Sequence, residues 1–290
     1  MNGASDLAVG VIANCRKPRA ADVLQRLRGK AQRLGLKLVV DAPAAALMGV
    51  EGTTKLGECL EEVRAVIALG GDGTLLRTVR ELAGRDIPVL GVNIGGLGFL
   101  TSVAEEDLER ALDCLVSGTY TTSWRTMLEC TVHRSGGVVG SYRALNDVVL
   151  TSFSSRVVTL RMLVNDEEVG DFVCDGLIVA TPTGSTGHSL SVGGPVLMPA
   201  TRAFLVSLIS PHTLSTRPLV LPDDATVRVQ VAASSGPTQL TADGQVGQPL
   251  QQGDSVAVWR SARGVRFMHL PGHSYFAVLR QKLHWRGSNV

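Results

Sequence analysis

The chain has 290 residues, of which 44% are hydrophobic and 19% charged. That suits one large or two ordinary folded domains and excludes wholesale disorder. A formal charge of +2 is too small to argue for nucleic acid, and no apolar run reaches the length of a membrane span. With Asp6 placed before any basic-then-apolar leader pattern can develop, a cytoplasmic protein with no membrane partner is the expectation.

Five scattered cysteines (Cys15, Cys59, Cys114, Cys130, Cys174) form no CxxC pair, and the six histidines offer no HExxH. Buried thiols are expected, and a zinc site is not. No lysine occurs between Lys55 and Lys282, and the GxxxxGK phosphate loop is absent. Any phosphate handling therefore falls to backbone amides, arginines and a metal. No GxGxxG fingerprint follows the first strand, which argues against an ordinary Rossmann dehydrogenase.

In chain order, Leu7 to Ala13 reads as a short apolar strand. Ala21 to Leu34 places Val23, Leu27, Ala31 and Leu34 on one helical face, stopped by Gly35. Leu36 to Val40 reads as a second strand, followed by a Gly- and Ala-rich connection. Ala65 to Leu69 reads as a buried parallel strand. It leads into Gly70-Gly71-Asp72-Gly73-Thr74 and then a helix to about Ala83. Such a glycine cluster lets amides approach a phosphate at a helix N-terminus. Asp72 is out of place in an anion-binding loop unless it accepts a proton or holds Mg²⁺; the plainer reading is a tight turn that it caps. Ile87 to Val92 forms another strand, ending in a second glycine cluster at Gly95, Gly96 and Gly98. Glycines there serve either a ligand or close packing. Leu108, Ala111, Leu112 and Leu115 line the next helix.

After Gly118 the pattern changes to short alternating runs: Leu128–His133, Val148–Thr151, Val157–Val164, Leu177–Ala180, Ala225–Ala232, Ser255–Trp259 and Val265–Leu270. Many short strands with turn punctuation predict a sandwich-like β domain. Ala200–Ile209 is read as a short helix, and Ser274 to Lys282 as a closing helix with Phe276, Leu279 and Leu283 at helical spacing. The fold class is thus an α/β N-terminal domain with an open Rossmann-like sheet (1–118), an all-β sandwich-like domain (119–272) and a C-terminal helical tail (273–290) returning to the first domain. Within the β domain, Thr181-Pro182-Thr183-Gly184-Ser185-Thr186-Gly187-His188-Ser189-Leu190-Ser191 crowds hydroxyls and amides after a strand, suited to ribose or phosphate oxygens or to a self-bonded turn. Asn146-Asp147 as a bare dipeptide is a turn or cap as readily as a site. Asp243-Gly244 reads as a hairpin turn, with Gln245 just inside the next strand.

Taken in order, these landmarks resemble the NAD kinases over nearly the whole chain. They are Gly70 to Thr74, Gly91-Val92-Asn93 with Gly96 to Thr101, Asn146-Asp147, Asp175-Gly176 with Thr181 to Thr186, Gly193-Gly194-Pro195, Pro211 to Leu214 with Arg217 to Val220, Asp243 to Gln245, and Ser274-Tyr275-Phe276. The resemblance implies ATP-dependent phosphorylation of the 2′-hydroxyl of the adenosine ribose of NAD, giving NADP. It implies Mg²⁺ or another divalent cation, ATP or polyphosphate as donor, a dinucleotide bound between the domains, and a homodimer or homotetramer.

Carried over by position, Asp72 is the proton acceptor, Gly70, Gly71, Gly73 and Thr74 form the phosphate-donor loop, and Gly73 also contacts the substrate. Further NAD contacts are Arg77, Asn146, Asp147, Arg156, Asp175, Thr186, Gly187, His188, Ser189, Leu190, Ser191 and Gln245; no protein metal ligand is assigned. Two departures stand out. His188 occupies a position where relatives often carry Tyr, and Val173 one where many bacterial relatives carry Arg, a lost charge that is expected to relax the preference for oxidised dinucleotide. The competing readings are a lipid kinase sharing the glycine–aspartate motif and a catalytically silent dinucleotide-binding regulator. Substrate choice separates the first, and ATP-dependent turnover the second.

Overall fold

The computed structural model describes residues 7–52, 60–96, 98–152 and 157–285. In chain order the first elements are β1 (Ala8–Ala13), α1 (Ala20–Leu34), β2 (Lys37–Val40), α2 (Ala42–Met48), β3 (Val63–Gly70), α3 (Asp72–Glu81), β4 (Val89–Asn93), β5 (Val103–Ala104), α4 (Leu108–Ser117) and β6 (Thr121–Arg125). Next come β7 (Leu128–Arg134), β8 (Gly137–Ala144), β9 (Asp147–Ser152), β10 (Val158–Val164), β11 (Glu167–Cys174) and β12 (Gly176–Ala180). After the short α5 (His188–Ser191) follow β13 (Ala203–Ile209), β14 (Leu219–Pro222), β15 (Val227–Ser234), β16 (Thr238–Ala242), β17 (Val246–Leu250) and β18 (Ser255–Arg260). The chain ends with β19 (Val265–His269) and α6 (Tyr275–Lys282).

Two compact units result: residues 1–124 with 265–290, and residues 125–264. In the first, the sheet runs β2-β1-β3-β4-β19-β6, with β5 beside β4. β1 to β4 run parallel to one another, as strand–helix–strand crossovers require, and β19 runs parallel to β4. Alternate residues Val9, Val11, Ile67, Leu69, Leu90 and Val92 share a core with Val23, Leu24, Leu27 of α1 and Leu108, Leu112 of α4. Central β3 is apolar along nearly its whole length because both its faces are covered.

The second unit is a sandwich of two antiparallel sheets, β11-β10-β15-β18-β7-β8 and β14-β13-β12-β9-β16-β17, with one core between them. β7, β10 and β15 alternate buried with partly or fully exposed positions, whereas β12 is buried throughout. The second face of β12 is covered: Ile178 and Ala180 pack with Val149, Leu205, Val192 and Leu197. The segment after β12 is therefore laid across its own sheet.

The structure corrects several expectations. The Gly- and Ala-rich connection contains α2, capped by Asp41, whose side chain accepts from the Ala44 N–H, with Pro43 in the first turn. Ala203–Ile209 is a strand rather than a helix, since a short apolar run buried on both faces carries no periodicity to tell the two apart. Val265–His269 joins the first sheet beside β4, not the sandwich. The compact units divide at 124/125 and 264/265, where the sequence placed seams at 118/119 and 272/273. In α6 the buried residues are Val278 and Leu279, while Phe276 is 54% exposed. The helix does return to the first unit, with Ser274 as its cap and Lys282 over the Phe99 ring.

Candidate active site

In the first unit the two glycine clusters meet at the carboxyl edge of the parallel sheet. The Ile94 N–H donates to the Gly70 carbonyl (2.8 Å), joining the end of β4 to the end of β3. Gly70 is required locally, because a methyl group there would overlap the Thr74 side chain. Gly71 precedes α3, so Asp72 and Gly73 open the helix. The Asp72 carboxylate accepts from three backbone amides of the second cluster: Phe99 (2.9 Å), Leu100 (3.1 Å) and Thr101 (3.4 Å). A methyl group on Gly98 would overlap that carboxylate, so the loop approaches it only through glycine. Asn93 donates to the Gly96 carbonyl (2.5 Å), and its buried Oδ1 has no hydrogen-bond partner. The Lys17 ammonium lies beside Gly95. Sequence reasoning did not bring this cation to the second glycine cluster; its only signal was its place in the loop directly after the first strand.

Arg77 is one helical turn beyond Thr74, and its guanidinium bonds Asp41 (3.0 Å) and Glu81 (2.7 Å). Burial lowers its basicity and those two carboxylates raise it, with a net upward shift.

In the second unit, β9 pairs with both β12 and β16, so three segments distant in sequence meet at one sheet end. Asn146 and Asp147 enter β9 there. The Asn146 carbonyl accepts from the Thr181 N–H (2.8 Å), and Thr181 Oγ1 donates to the Leu145 carbonyl (2.6 Å). Any side chain at Gly184 would collide with the Asn146 backbone. Gly184–Thr186 forms a single 3-10 turn, and Gly187 lies against the Asn146 and Asp147 side chains. Asn146 Oδ1 and Thr183 Oγ1 are buried without hydrogen-bond partners, polar capacity left over for a ligand. Asp147 is buried, and burial together with the nearby charge of Asp243 pushes its carboxyl up to about 7.

Of the other expected contacts, Thr186 and Ser189 are buried, the latter with its hydroxyl against Ser207 (3.1 Å), while His188 and Ser191 are exposed and Gly187 and Leu190 lie between. Gln245 falls in the β16–β17 turn rather than inside β17, and its N–H donates to the Ala242 carbonyl (3.1 Å). Asp175 immediately precedes β12 and is not brought to this cluster: Ala180 pairs with Asp147, and Asp175 is five residue steps back along the strand, roughly 16 Å. Arg156 lies outside the described residues, as does Leu97 of the second cluster.

A carboxylate held by backbone amides at a strand–helix junction in one unit, and a hydroxyl-rich loop against Asn146 and the buried Asp147 in the other, are the equipment of a nucleotide-directed phosphotransferase. The comparisons agree. Residues 9–120 match the ATP-NAD kinase N-terminal domain model and residues 126–270 the ATP-NAD kinase C-terminal domain model. NAD kinase from Heliobacterium modesticaldum is 41% identical over 276 residues, covering 95% of this chain and 98% of that one. NAD kinase from Syntrophotalea carbinolica is 39% identical over 279 residues, covering 96% and 98%. Among solved structures, yeast NADH kinase complexed with NADH has the same fold, with a TM-score of 0.89 at 24% identity over 98% of this chain and 89% of that one. An Archaeoglobus fulgidus NAD kinase in complex with ATP aligns at a TM-score of 0.76 and 24% identity, over 97% and 100%. The chain belongs to the NAD kinase family.

Proposed function

We propose that the chain transfers the terminal phosphoryl group of ATP to the 2′-hydroxyl of the adenosine ribose of NAD, giving NADP, with Asp72 as proton acceptor. The observation that carries this is the Asp72 carboxylate, held by three amides at the carboxyl edge of the sheet among the glycines of two loops. Phosphoryl transfer passes through a loose transition state, so positioning and charge neutralisation outweigh early deprotonation. A ribose hydroxyl is too weak an acid to ionise beforehand. Asp72 orients it and takes its proton late, as the phosphorus–oxygen bond forms.

Gly70, Gly71, Gly73 and Thr74, with Lys17, serve the donor phosphates at the α3 N-terminus. Asn146, Asp147 and the loop Thr186 to Ser191 serve the adenosine of NAD, and Gln245 stands in the turn beside them. Arg77 supports the site by tying α3 to Asp41. Asp175, remote from Asn146 and Asp147 within one chain, fits a contact supplied in a homodimer or homotetramer.

Mg²⁺ belongs to the proposal as a partner of the ATP phosphates. Among the described residues no group of three or more His, Cys, Asp or Glu side chains is placed to hold an ion. Mg²⁺ in such sites is commonly carried by phosphate oxygens and water with one or two carboxylates. When bound, it neutralises charge on the transferring group.

The test is NADP formation by the purified protein from NAD, ATP and Mg²⁺, read with an NADP-specific dehydrogenase. Turnover on NAD supports the reading. Phosphorylation of a lipid alcohol instead, or tight NAD binding with no product under any donor, contradicts it.

A further inference from the structure

We propose that Asp243 is a positioning residue of the dinucleotide site. Its carboxylate holds the backbone of residues 145–147 so that Asn146 and Asp147 face the substrate, and it sets a negative charge beside the buried Asp147 side chain. The inference rests on the NAD kinase reading above.

Three amides converge on this one side chain: Leu145 N–H donates to Oδ2 (2.9 Å), Asn146 N–H to Oδ1 (2.7 Å) and Asp147 N–H to Oδ1 (3.2 Å). The connection is returned by the Asp243 N–H, which donates to the Asp147 carbonyl (2.9 Å). Asp243 (φ +53°) and Gly244 (φ +63°) are both left-handed, the conformation of a two-residue hairpin turn, which Asp tolerates better than most residues. That turn projects the carboxylate under the incoming end of β9. From the other side Thr181 and Gly184 grip two of these residues, Leu145 and Asn146. The Asn–Asp segment is therefore clamped between the loop it shares with the ligand and a turn about a hundred residues away, and Asp243 supplies the whole second jaw.

The electrostatics follow from the same geometry. Three N–H donors aimed at one carboxyl group favour its anionic form. Asp147 has burial against it and a neighbouring anion, so the proton stays with Asp147 until near neutrality. Asp243 is the charged group that acts on it. The strands on either side bring Ala180 and Ala242, and the 181–187 loop contributes hydroxyls and amides. A carboxylate accepts hydrogen bonds from ribose hydroxyls better than the acid does, so NAD binding tightens as pH rises through that value.

The experiment uses the full chain and measures equilibrium binding of NAD without ATP, whose own phosphates titrate, together with kcat, from about pH 5.5 to 8.5. Wild type is expected to show a several-fold fall in Kd centred near pH 7, with kcat far less affected. Asp243→Asn is expected to raise Kd about tenfold or more, leave kcat within about threefold, and move the step to lower pH, because the repelling charge is gone. Asp147→Asn is expected to abolish the step. Asp243→Asn binding within about twofold of wild type with the step in place overturns the proposal. So does a step that persists in Asp147→Asn, which would belong to another group such as His188. Should Asp243→Asn fail to fold, wild type and Asp147→Asn still decide, since a flat wild-type profile is equally fatal. Failure of the NAD kinase reading is seen separately, as absence of NADP from wild type.

Discussion

A methyl group on Gly98 would overlap the Asp72 carboxylate, and three amides of the same loop donate to its oxygens. Gly98→Ala is therefore expected to displace the carboxylate and lower kcat about a hundredfold, the scale of an ångström's misplacement, with little change in melting temperature. An unchanged kcat would show that the loop does not set the acceptor. Asp147 behaves differently because it is buried. Its carboxyl titrates near 7 in the folded protein and near 4 when unfolded, so the folded state binds that proton more tightly. The contribution is fully present below about pH 4 and is lost as pH rises through about 7, at up to about 1.4 kcal/mol per pH unit. Asp147→Asn removes that loss. Relative to wild type it should be more stable at pH 8 than at pH 5 in urea unfolding, and an equal difference at both pH values would contradict the assignment. The sequence marked Asn146-Asp147 as residues of interest but not their clamp. Asp243 reads as a turn residue, and only the antiparallel pairing of β9 with β16 brings it to residues 97 positions away.

Among the elements, α2 shows how a cap and a contact are combined. Asp41 accepts from the Ala44 N–H with one oxygen and from Arg77 with the other, so one buried carboxylate starts a helix and anchors α3 beside the glycine loop. Asp41→Ala is expected to cost about 1–2 kcal/mol in denaturant unfolding, mostly through the cap, since Arg77 is partly exposed. A change within experimental error would make the cap redundant. The strongly periodic helices were legible: α1 and α4 carry Leu and Ala at the spacings their buried faces use. So was the turn at Asp243-Gly244. The apolar stretch that became β13 was not. Phe204 and Val206 face the sandwich core while Leu205 faces the opposite cluster, and burial on both sides erases the alternation that marks a strand. Strands β8 and β11 were missed for the opposite reason, because most of their side chains are exposed.

At the scale of the molecule, the chain leaves the first unit after residue 124 and completes it only on returning at 265. The composition shift near Gly118 was visible in sequence. The return of β19 was not, because its pairing with β4 is a contact across nearly 180 residues. Phe267 is buried in that returning strand at the register of Val89. Phe267→Ala is expected to cost about 3–5 kcal/mol and to lower the unfolding transition of the first unit. If the transition of the second unit moved instead, the strand would belong to the sandwich. The most direct measurement compares wild type with Asp72→Asn, taking both NADP formation from NAD, ATP and Mg²⁺ and the equilibrium affinity for NAD. Near-complete loss of turnover with NAD affinity changed less than about threefold is the expected result, because the amide keeps the shape and loses the proton acceptor. Substantial turnover retained by Asp72→Asn would contradict the role assigned to this carboxylate and with it the proposed mechanism.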